Sequence, residues 1–170
     1  MTLPARSQPA WSVSFAAAAE AHLDDVYAYL VYLTHDRSLA EDLAADTFEK
    51  ALTLWRRFDP ARASARTWLC QIARTTALDW FRAEERRRRR EERTAPPERQ
   101  EPTFVEGLSP ELAAALAELS AGEREVIALR VLLDLDGEEA ARVLGISPTA
   151  VSTRLSRALK KLEEKVTVHV

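Results

Sequence analysis

The sequence predicts an all-α protein made of two small helical domains that a flexible, charged linker joins. Apolar residues recur at steps of three and four residues along 12–83 and again from residue 109 onward, which is the pattern of amphipathic helices. No segment shows the sustained alternation of a half-buried strand. Between the two blocks, residues 84–101 carry seven arginines, six glutamates and the pair Pro96 and Pro97. Such a segment buries too little apolar surface to offset the entropy of ordering its backbone.

The composition excludes several classes of protein. The chain has 170 residues, of which 46% are hydrophobic, and this is enough for one mid-sized core or two small ones. The first of its four glycines is Gly107, so the first block contains no glycine-rich phosphate loop. The single cysteine, Cys70, excludes an intramolecular disulfide and fits a reducing compartment. Because no nucleophile–base set and no metal-ligand spacing occurs, we expect no enzyme activity, no metal and no cofactor.

The hydropathy pattern predicts a cytoplasmic protein that does not insert into a membrane. No apolar run approaches the roughly 18 residues that a membrane span needs. The short apolar stretch 11–19 contains two serines and follows a single arginine, so it is too weak for a secretion signal.

The net charge of −3 conceals an alternation of acidic and basic segments. Residues 20–50 hold eight acids and two bases, and residues 51–83 hold two acids and six bases. The same order returns in residues 111–139, with eight acids and two bases, and in residues 140–161, with five bases and no acid. Because phosphate binding responds to the local potential within about a Debye length, this pattern is compatible with DNA and with a second, basic partner.

Three helices are predicted in the first block, which spans residues 12–87. The first helix carries apolar positions at helical spacing from Phe15 to Leu33. The second covers residues 39–54 and turns an acidic face away from its apolar stripe. That acidic face is either simply solvated or a docking surface for a basic partner.

A loop and a third helix complete the first block. Pro60 breaks the helical pattern and places a loop over residues 59–65. The third helix runs from residue 66 to about residue 82, and the arginine run 86–90 can continue it before it frays. The linker follows over residues 88–108.

The second block, residues 109–166, begins with clear helix signals. Ser109 and Pro110 offer an N-cap and a first-turn proline. Residues 120–123 (SAGE) form a capping box that opens the next helix.

The end of the second block predicts a helix-turn-helix. Residues 136–139 (DGEE) open a helix in the same manner, and Gly145 supplies the left-handed residue that ends it. Ser147 and Pro148 then cap a last helix that reaches about Lys165. A helix, a short turn with glycine and a capped second helix are the elements of this DNA-binding motif.

The last helix presents two different faces. Val151, Leu155, Leu159 and Leu162 fall on one stripe that faces the partner helices. The opposite face carries short hydroxyls suited to base edges in a major groove, and basic side chains suited to phosphates. This recognition face consists of Ser152, Thr153, Arg154, Ser156, Arg157 and Lys160. Basic helix faces are often merely solvated, but the glycine turn, the caps and the acid-free stretch favour DNA binding.

Residues 51–83 place aromatic side chains beside arginines. This composition suits single-stranded or melted nucleic acid, because every base has a face that can stack. The loop at 59–65 could also hold an extruded base. Tryptophans at helical spacing more often belong to a core, so simple packing of Trp55 and Trp80 is the alternative.

The order of these features resembles the bacterial extracytoplasmic-function sigma factors. Residues 40–51 (AEDLAADTFEKA) resemble the polymerase-binding helix of sigma domain 2, and residues 66–74 and 77–82 resemble its promoter-melting helix. Residues 119–127 and 137–148 resemble sigma domain 4. A helix-turn-helix alone is shared with many regulators, but both blocks in this order, with a short tether and no domain 3, are highly specific.

The resemblance implies a dissociable subunit of RNA polymerase that directs promoter-specific initiation. Domain 2 would bind the clamp helices of the largest core subunit and capture melted minus-ten DNA. Domain 4 would bind the flap of the second-largest subunit and recognise minus-thirty-five DNA as a duplex. Promoter DNA and an anti-sigma factor are therefore the other partners that the resemblance implies.

The resemblance also implies which residues make these contacts. The polymerase contact falls on Asp42, Asp46, Thr47, Glu49 and Lys50. The minus-ten surface consists of Pro60, Ala61, Arg62, Ala63, Ser64, Arg66, Trp68, Arg74 and Thr75. The minus-thirty-five contacts are the recognition face defined above. At Ala45, Thr75 and Ser152 the sequence departs from residues frequent in the family, so the captured base and the upstream sequence preference stay open.

Two other functions differ in what they predict. A stand-alone helix-turn-helix regulator would bind duplex DNA without polymerase, with a strong dependence on salt. A sigma-like interaction protein would bind core polymerase without supporting transcription.

Overall fold

The computed structural model describes residues 14–91 and 109–167, and every regular element within these ranges is helical. The helices of the first domain are α1 (Phe15–Thr34), α2 (Arg37–Leu54) and α3 (Ala65–Glu91). Those of the second domain are α4 (Pro110–Ala117), α5 (Ala121–Ile127), α6 (Gly137–Leu144) and α7 (Pro148–Thr167). Short 3-10 and π-helical turns follow α2 and α5, at Trp55–Arg57 and Ala128–Leu132. The predicted all-α fold with two helical domains is confirmed.

Polar caps fix where the first two helices begin. The Ser14 hydroxyl accepts a hydrogen bond from the backbone N–H of Ala17 at 3.2 Å, and the Asp36 carboxylate accepts one from that of Leu39 at 3.0 Å. Between the helices, His35 adopts a left-handed backbone with φ 54°, which ends α1 and reverses the chain. The two helices therefore pack against each other and against α3.

The third helix continues through the arginine run 86–90, as the sequence allowed, and ends at Glu91. Residues 88–91, which the sequence assigned to the linker, are therefore helical. Ion pairs one turn apart accompany this extension: Arg87–Glu84 at 2.6 Å, Arg87–Glu91 at 3.9 Å and Arg89–Glu85 at 2.8 Å. Oppositely charged residues three or four apart stabilise an exposed helix modestly, a contribution that a search for apolar periodicity does not detect. The rest of the predicted linker, 92–108, lies outside the described residues.

The helix starts of the second domain carry the caps that the sequence predicted. Ser109 accepts a hydrogen bond from the N–H of Leu112 at 3.2 Å, one residue before Pro110 begins α4. Reciprocal capping boxes open α5 and α6, with Ser120 and Glu123 in the first and Asp136 and Glu139 in the second. These caps satisfy backbone donors that have no partner within the helix.

The predicted helix-turn-helix is present in α6 and α7. Gly145 has φ 66°, a conformation that would cost a residue with a Cβ about 1–2 kcal/mol. Ile146 packs against the core from within the turn. The Ser147 hydroxyl then accepts a hydrogen bond from the N–H of Ala150 at 3.2 Å and caps α7. The glycine and the Ser147 cap are local features of the sequence, and they explain how this turn was predicted.

One predicted core position in α7 is wrong. Leu159 is 46% exposed, whereas Ala158 is fully buried. Val151 and Ala158 are seven residues apart and so lie on the same side of the helix at 3.6 residues per turn. Leu159 lies eight residues after Val151, which is more than two full helical turns, so its side chain points to the flank of this stripe.

The two domains pack against each other. One continuous buried cluster contains Leu30 and Leu69 of the first domain together with Leu129, Leu135 and Ala140 of the second. The main helix-to-helix contact between the domains joins α3 and α6, and α1 also touches the π-helical turn. The amphipathic patterns did not predict this contact, because each apolar stripe already had partners within its own domain.

The contribution of Glu123 to the stability of the second domain is expected to be lost in acid. Its carboxylate accepts hydrogen bonds from the Lys161 ammonium and from the N–H of Ser120, each at 2.9 Å. These hydrogen bonds lower the pKa of Glu123 from 4.5 to about 2, and the bond from Lys161 has the larger effect. Because the folded-state pKa is depressed, the stabilisation is fully present above about pH 4.5 and is lost as the pH falls toward 2.

We therefore expect Glu123→Gln to lower the free energy of unfolding by about 1 kcal/mol at pH 7, after allowance for solvent screening. Glutamine keeps the capping geometry and removes only the charge. The difference between the wild type and the variant should shrink steadily between pH 4.5 and pH 2, as measured by urea unfolding at a series of pH values. A difference that does not depend on pH would contradict this assignment. Glu138→Gln, an exposed carboxylate of α6, is the control.

Candidate DNA and polymerase interfaces

The acidic face of α2 is open to solvent. Asp42, Asp46 and Glu49 are exposed, and within residues 14–91 and 109–167 their carboxylates form no ion pair. The Lys50 ammonium, one turn beyond Asp46, donates to the Thr76 hydroxyl of α3 at 3.2 Å. Because the apolar side of α2 is fixed against α1 and α3, the carboxylates are held in a row that a basic partner could contact.

Thr47 does not belong to this surface, which corrects the prediction for this residue. Its side chain is completely buried, and its hydroxyl donates to the carbonyl of Leu43 at 2.6 Å. Thr47 lies four residues after Leu43 and so shares the inward side of α2. The polymerase-binding motif is contiguous in sequence, but successive residues of a helix face different sides, so not all of its residues can lie on one surface.

The loop between α2 and α3 forms a compact turn around Asp59. The Asp59 carboxylate accepts a hydrogen bond from the N–H of Ala61 at 2.9 Å, and its carbonyl accepts one from Arg62 at 3.1 Å. Pro60, Ala61, Arg62 and Ser64 are exposed, whereas Ala63 is half-buried. Part of the predicted minus-ten surface therefore lies on a shaped, accessible loop.

The remaining residues of the minus-ten surface lie along α3 and are less free. The Arg66 guanidinium forms an ion pair with Asp25 of α1 at 2.7 Å and also donates to the backbone carbonyl of Leu133. Arg74 pairs with Glu125 of α5 at 2.8 Å. Thr75 is exposed, with its hydroxyl donating to the carbonyl of Gln71. Two of the arginines predicted to contact DNA thus hold acidic partners within the chain.

Trp68 is part of an aromatic cluster at the edge of the core. Its ring lies 5.7 Å from that of Trp55 and 5.4 Å from that of Phe58, between ring centroids. Phe15 of α1 completes the cluster against Trp55 at 5.5 Å. Ring contacts thus favour the packing alternative for Trp55, and Trp80 packs against the core cluster. Trp68 packs against the same cluster.

The recognition face of α7 is accessible along most of its length. Ser152, Thr153, Ser156, Arg157 and Lys160 are exposed. Arg154 is half-buried, because its guanidinium lies against Gly122 of α5, 3.2 Å from the position that a Cβ there would take. The predicted hydroxyls and Arg157 thus share one side of a rigid, capped helix.

An open groove of about 570 Å³ lies between the two domains. Arg74 of α3 lines one side, and Arg154 and Arg157 of α7 line the other. The minus-ten surface and the recognition face therefore border the same groove. Sequence reasoning missed Glu125, which lines this groove. It also missed the contact of Glu139 with Ser64 and Thr67, because it considered Glu139 only as a helix cap.

The described residues offer little other chemistry. Within 14–91 and 109–167, no group of three or more potential metal ligands clusters. Burial raises the pKa of the Cys70 thiol to about 12, so it stays protonated and unreactive. The helices of these ranges are too short or too polar to span a bilayer.

Comparison with known proteins identifies the class. Residues 18–87 match the family described as Sigma-70 region 2, and residues 109–162 match Sigma-70, region 4. The chain is 31% identical over 150 residues to the ECF RNA polymerase sigma factor SigX of Bacillus subtilis (strain 168), covering 82% of this chain and 77% of SigX. It is 36% identical over 139 residues to the ECF RNA polymerase sigma factor SigC of Mycobacterium tuberculosis (strain CDC 1551 / Oshkosh), covering 79% of this chain and 73% of SigC.

A solved structure shares the arrangement of both domains. The sigma factor RpoE in its co-crystal with the anti-sigma factor NepR from Bartonella quintana is 26% identical, with a TM-score of 0.75 over 91% of this chain and 97% of that chain. The fold and both domain matches define a sigma factor, a transcription initiation factor without enzyme activity. Within that class, the chain belongs to the extracytoplasmic-function family of RNA polymerase sigma factors.

Proposed function

We propose that this sigma factor recognises promoters at two points, with α3 and the preceding loop capturing melted minus-ten DNA and α7 binding duplex minus-thirty-five DNA. The observation that carries the proposal is the pairing of an exposed, capped recognition helix with an exposed loop on a separate domain. Short hydroxyls and Arg157 on α7 have the chemistry of base-edge and phosphate contacts. In this proposal the extruded base is received at the loop 59–65, whose Pro60, Ala61 and Arg62 are exposed.

Polymerase must supply part of the energy for this mechanism. Melting a promoter costs about 1.4 kcal/mol per stacking step, whereas capturing a base returns about 1–3 kcal/mol. The energy from capturing one or two bases does not offset the loss of several stacking steps, so the free chain should bind promoters poorly. We propose that α2 binds the clamp helices of the largest core subunit and that the second domain binds the flap of the second-largest. The unpaired carboxylates Asp42, Asp46 and Glu49 support the first contact. In this proposal the protein acts in the cytoplasm, where polymerase and chromosome are.

A dedicated anti-sigma factor is the other partner that we propose. RpoE of Bartonella quintana was crystallised with its anti-sigma factor NepR, and its chain matches both domains of this one. The expected observation is that affinity purification from the native cells recovers one small inhibitor as well as polymerase. Repeated recovery of polymerase alone would contradict it.

Run-off transcription tests the central proposal. Core polymerase, with and without the purified chain, is presented with a library of random-sequence promoters, and the transcribed templates are sequenced. We expect the chain to select templates that share two separated elements. If it confers no start-site selection, the proposed function fails.

Arg157→Ala should weaken use of the selected promoters by about tenfold or more, because one good base or phosphate contact is worth about 1–3 kcal/mol. The measurement is the run-off yield as a function of promoter concentration. Lys165→Ala is the matched control, since it removes a cation of the same helix that pairs with Glu118 at 2.7 Å. Equal yields from Arg157→Ala and the wild type would remove Arg157 from the recognition face.

A further inference from the structure

The second domain places the Glu125 carboxylate on Arg74, an arginine of the minus-ten surface. Both oxygens of Glu125 accept hydrogen bonds from Arg74, from Nε at 2.8 Å and from Nη2 at 3.2 Å. The Tyr29 hydroxyl of α1 donates to the same carboxylate at 3.3 Å. Burial raises the pKa of Tyr29 well above its ordinary value, and the negative charge of Glu125 is the second cause of this shift. The hydroxyl therefore keeps its proton and remains a donor. An arginine fork binds a carboxylate and a phosphate in the same two-pronged way.

A second carboxylate covers the start of α3. Oε1 of Glu139 accepts hydrogen bonds from the hydroxyls of Thr67, at 3.2 Å, and Ser64, at 3.4 Å. Ser64 is the residue whose hydroxyl caps α3 through the N–H of Thr67. This end of the helix favours a negative group. Glu139 therefore lies where the loop at 59–65 meets the helix that follows it.

Further contacts hold the domains in this arrangement. The side-chain amide of Gln71 donates to the carbonyl of Arg142 at 3.0 Å, and the Arg66 guanidinium donates to the carbonyl of Leu133. The buried cluster continues beneath them from Leu69 to Leu129. The contact is thus a packed interface and not one isolated ion pair.

We infer that the second domain is a built-in competitor of promoter DNA, with Glu125 and Glu139 taking positions on the minus-ten surface that DNA phosphates or bases would otherwise occupy. The inference rests on the proposed function of that surface. Since Arg74 cannot pair with Glu125 and with DNA at once, Glu125 must leave Arg74 before this α3 part of the minus-ten surface is free, and separation of the domains achieves this. Arg154 and Arg157 border the same groove, so separation also widens access to the recognition face.

The test follows the distance between the domains in the full chain. Spin labels on cysteines introduced at Glu20 and Ala114 report the separation, since both positions are exposed and the buried Cys70 thiol stays unlabelled. We expect one narrow distance distribution for the labelled chain alone. Excess single-stranded oligonucleotide of random sequence should shift it to longer distances. A distribution that stays unchanged when the oligonucleotide is bound overturns the inference.

A double variant tests the two carboxylates directly. Glu125→Gln with Glu139→Gln keeps the size of both side chains and the capping geometry of α6. It should populate the longer distances and raise the affinity for a fluorescent single-stranded oligonucleotide by about five- to tenfold, the range of a modest coupling between sites. Adding Arg74→Ala should cancel that gain. Glu138→Gln, on the same turn of α6 but facing solvent, should behave as the wild type.

These outcomes separate the inference from the proposed function. If the double variant opens without any gain in DNA affinity, or binds more tightly even when Arg74 is alanine, the competition at Arg74 is wrong. Both results leave start-site selection by the wild type intact. Loss of start-site selection in the run-off experiment would instead overturn the proposed function, whatever the distances show.

Discussion

Asp46→Arg should reduce the affinity of this sigma factor for core RNA polymerase by at least about tenfold while leaving its fold intact. Asp46 is exposed on the acidic face of α2, and the proposed partner surface is basic. The change replaces an attraction with a repulsion at one position, and like charges brought together at an interface cost several kcal/mol in the worst case. The measurement is a titration of labelled chain with core polymerase, read by fluorescence anisotropy.

The fold should tolerate this change because Asp46 makes no ion pair within the described residues and does not enter the core. Glu20→Arg on α1 is the matched control, since it reverses an exposed charge away from α2. Both variants should show the helical circular dichroism of the wild type, and only Asp46→Arg should lose polymerase. Unaltered binding by Asp46→Arg would show that the acidic face of α2 is merely solvated, the alternative that the sequence left open.

Local rules predicted the parts of the fold that depend on neighbouring residues. The helix-turn-helix followed from the capping box at Asp136 and Glu139, the left-handed Gly145 and the cap at Ser147, all of which act within a few residues. The exposure of Arg157 also followed from helical spacing. These features are stable because each satisfies its own backbone groups, so no distant contact is needed to specify them.

Two errors arose where a sequence pattern was transferred to a surface without regard to helix geometry. Thr47 stands inside the polymerase-binding motif, yet it lies on the same inward side of α2 as Leu43 and is fully buried. Leu159 was predicted to belong to the apolar stripe of α7, yet it is exposed and Ala158 holds the core position. In both cases one residue of rotation, about 100°, decides between core and solvent.

The contact between the domains was beyond prediction from one sequence. Glu125 and Arg74 are 51 residues apart, and neither amphipathic pattern nor charge counting indicates that they pair. Glu139 has a complete local role as a capping residue, which conceals its second role beside Thr67. Such long-range pairs depend on how two surfaces fit, and that information is not contained in helical periodicity.

Leu69→Ala should destabilise both domains, although Leu69 lies in only one of them. Its side chain is fully buried in the cluster that also contains Leu129 and Leu135 of the second domain. Deleting these methyl groups leaves a cavity that costs about 3 kcal/mol. Since the cluster is continuous across the interface, we expect the domains to unfold as one cooperative unit. The loss should therefore reach residues of α7 that never touch position 69.

The sequence provides separate probes for the two domains. Trp55, Trp68 and Trp80 lie in the first domain, so in a chain with Trp11→Phe tryptophan fluorescence reports that domain, and hydrogen exchange of the α7 amides reports the second. For Leu69→Ala, both probes should show the same loss of about 3 kcal/mol. Leu52→Ala is the control, because Leu52 is 59% exposed and its truncation should cost no more than about 0.5 kcal/mol. Suppose the free energy of unfolding measured by tryptophan fluorescence falls while hydrogen exchange in α7 is unchanged. The domains would then unfold independently, and the buried cluster would not couple them.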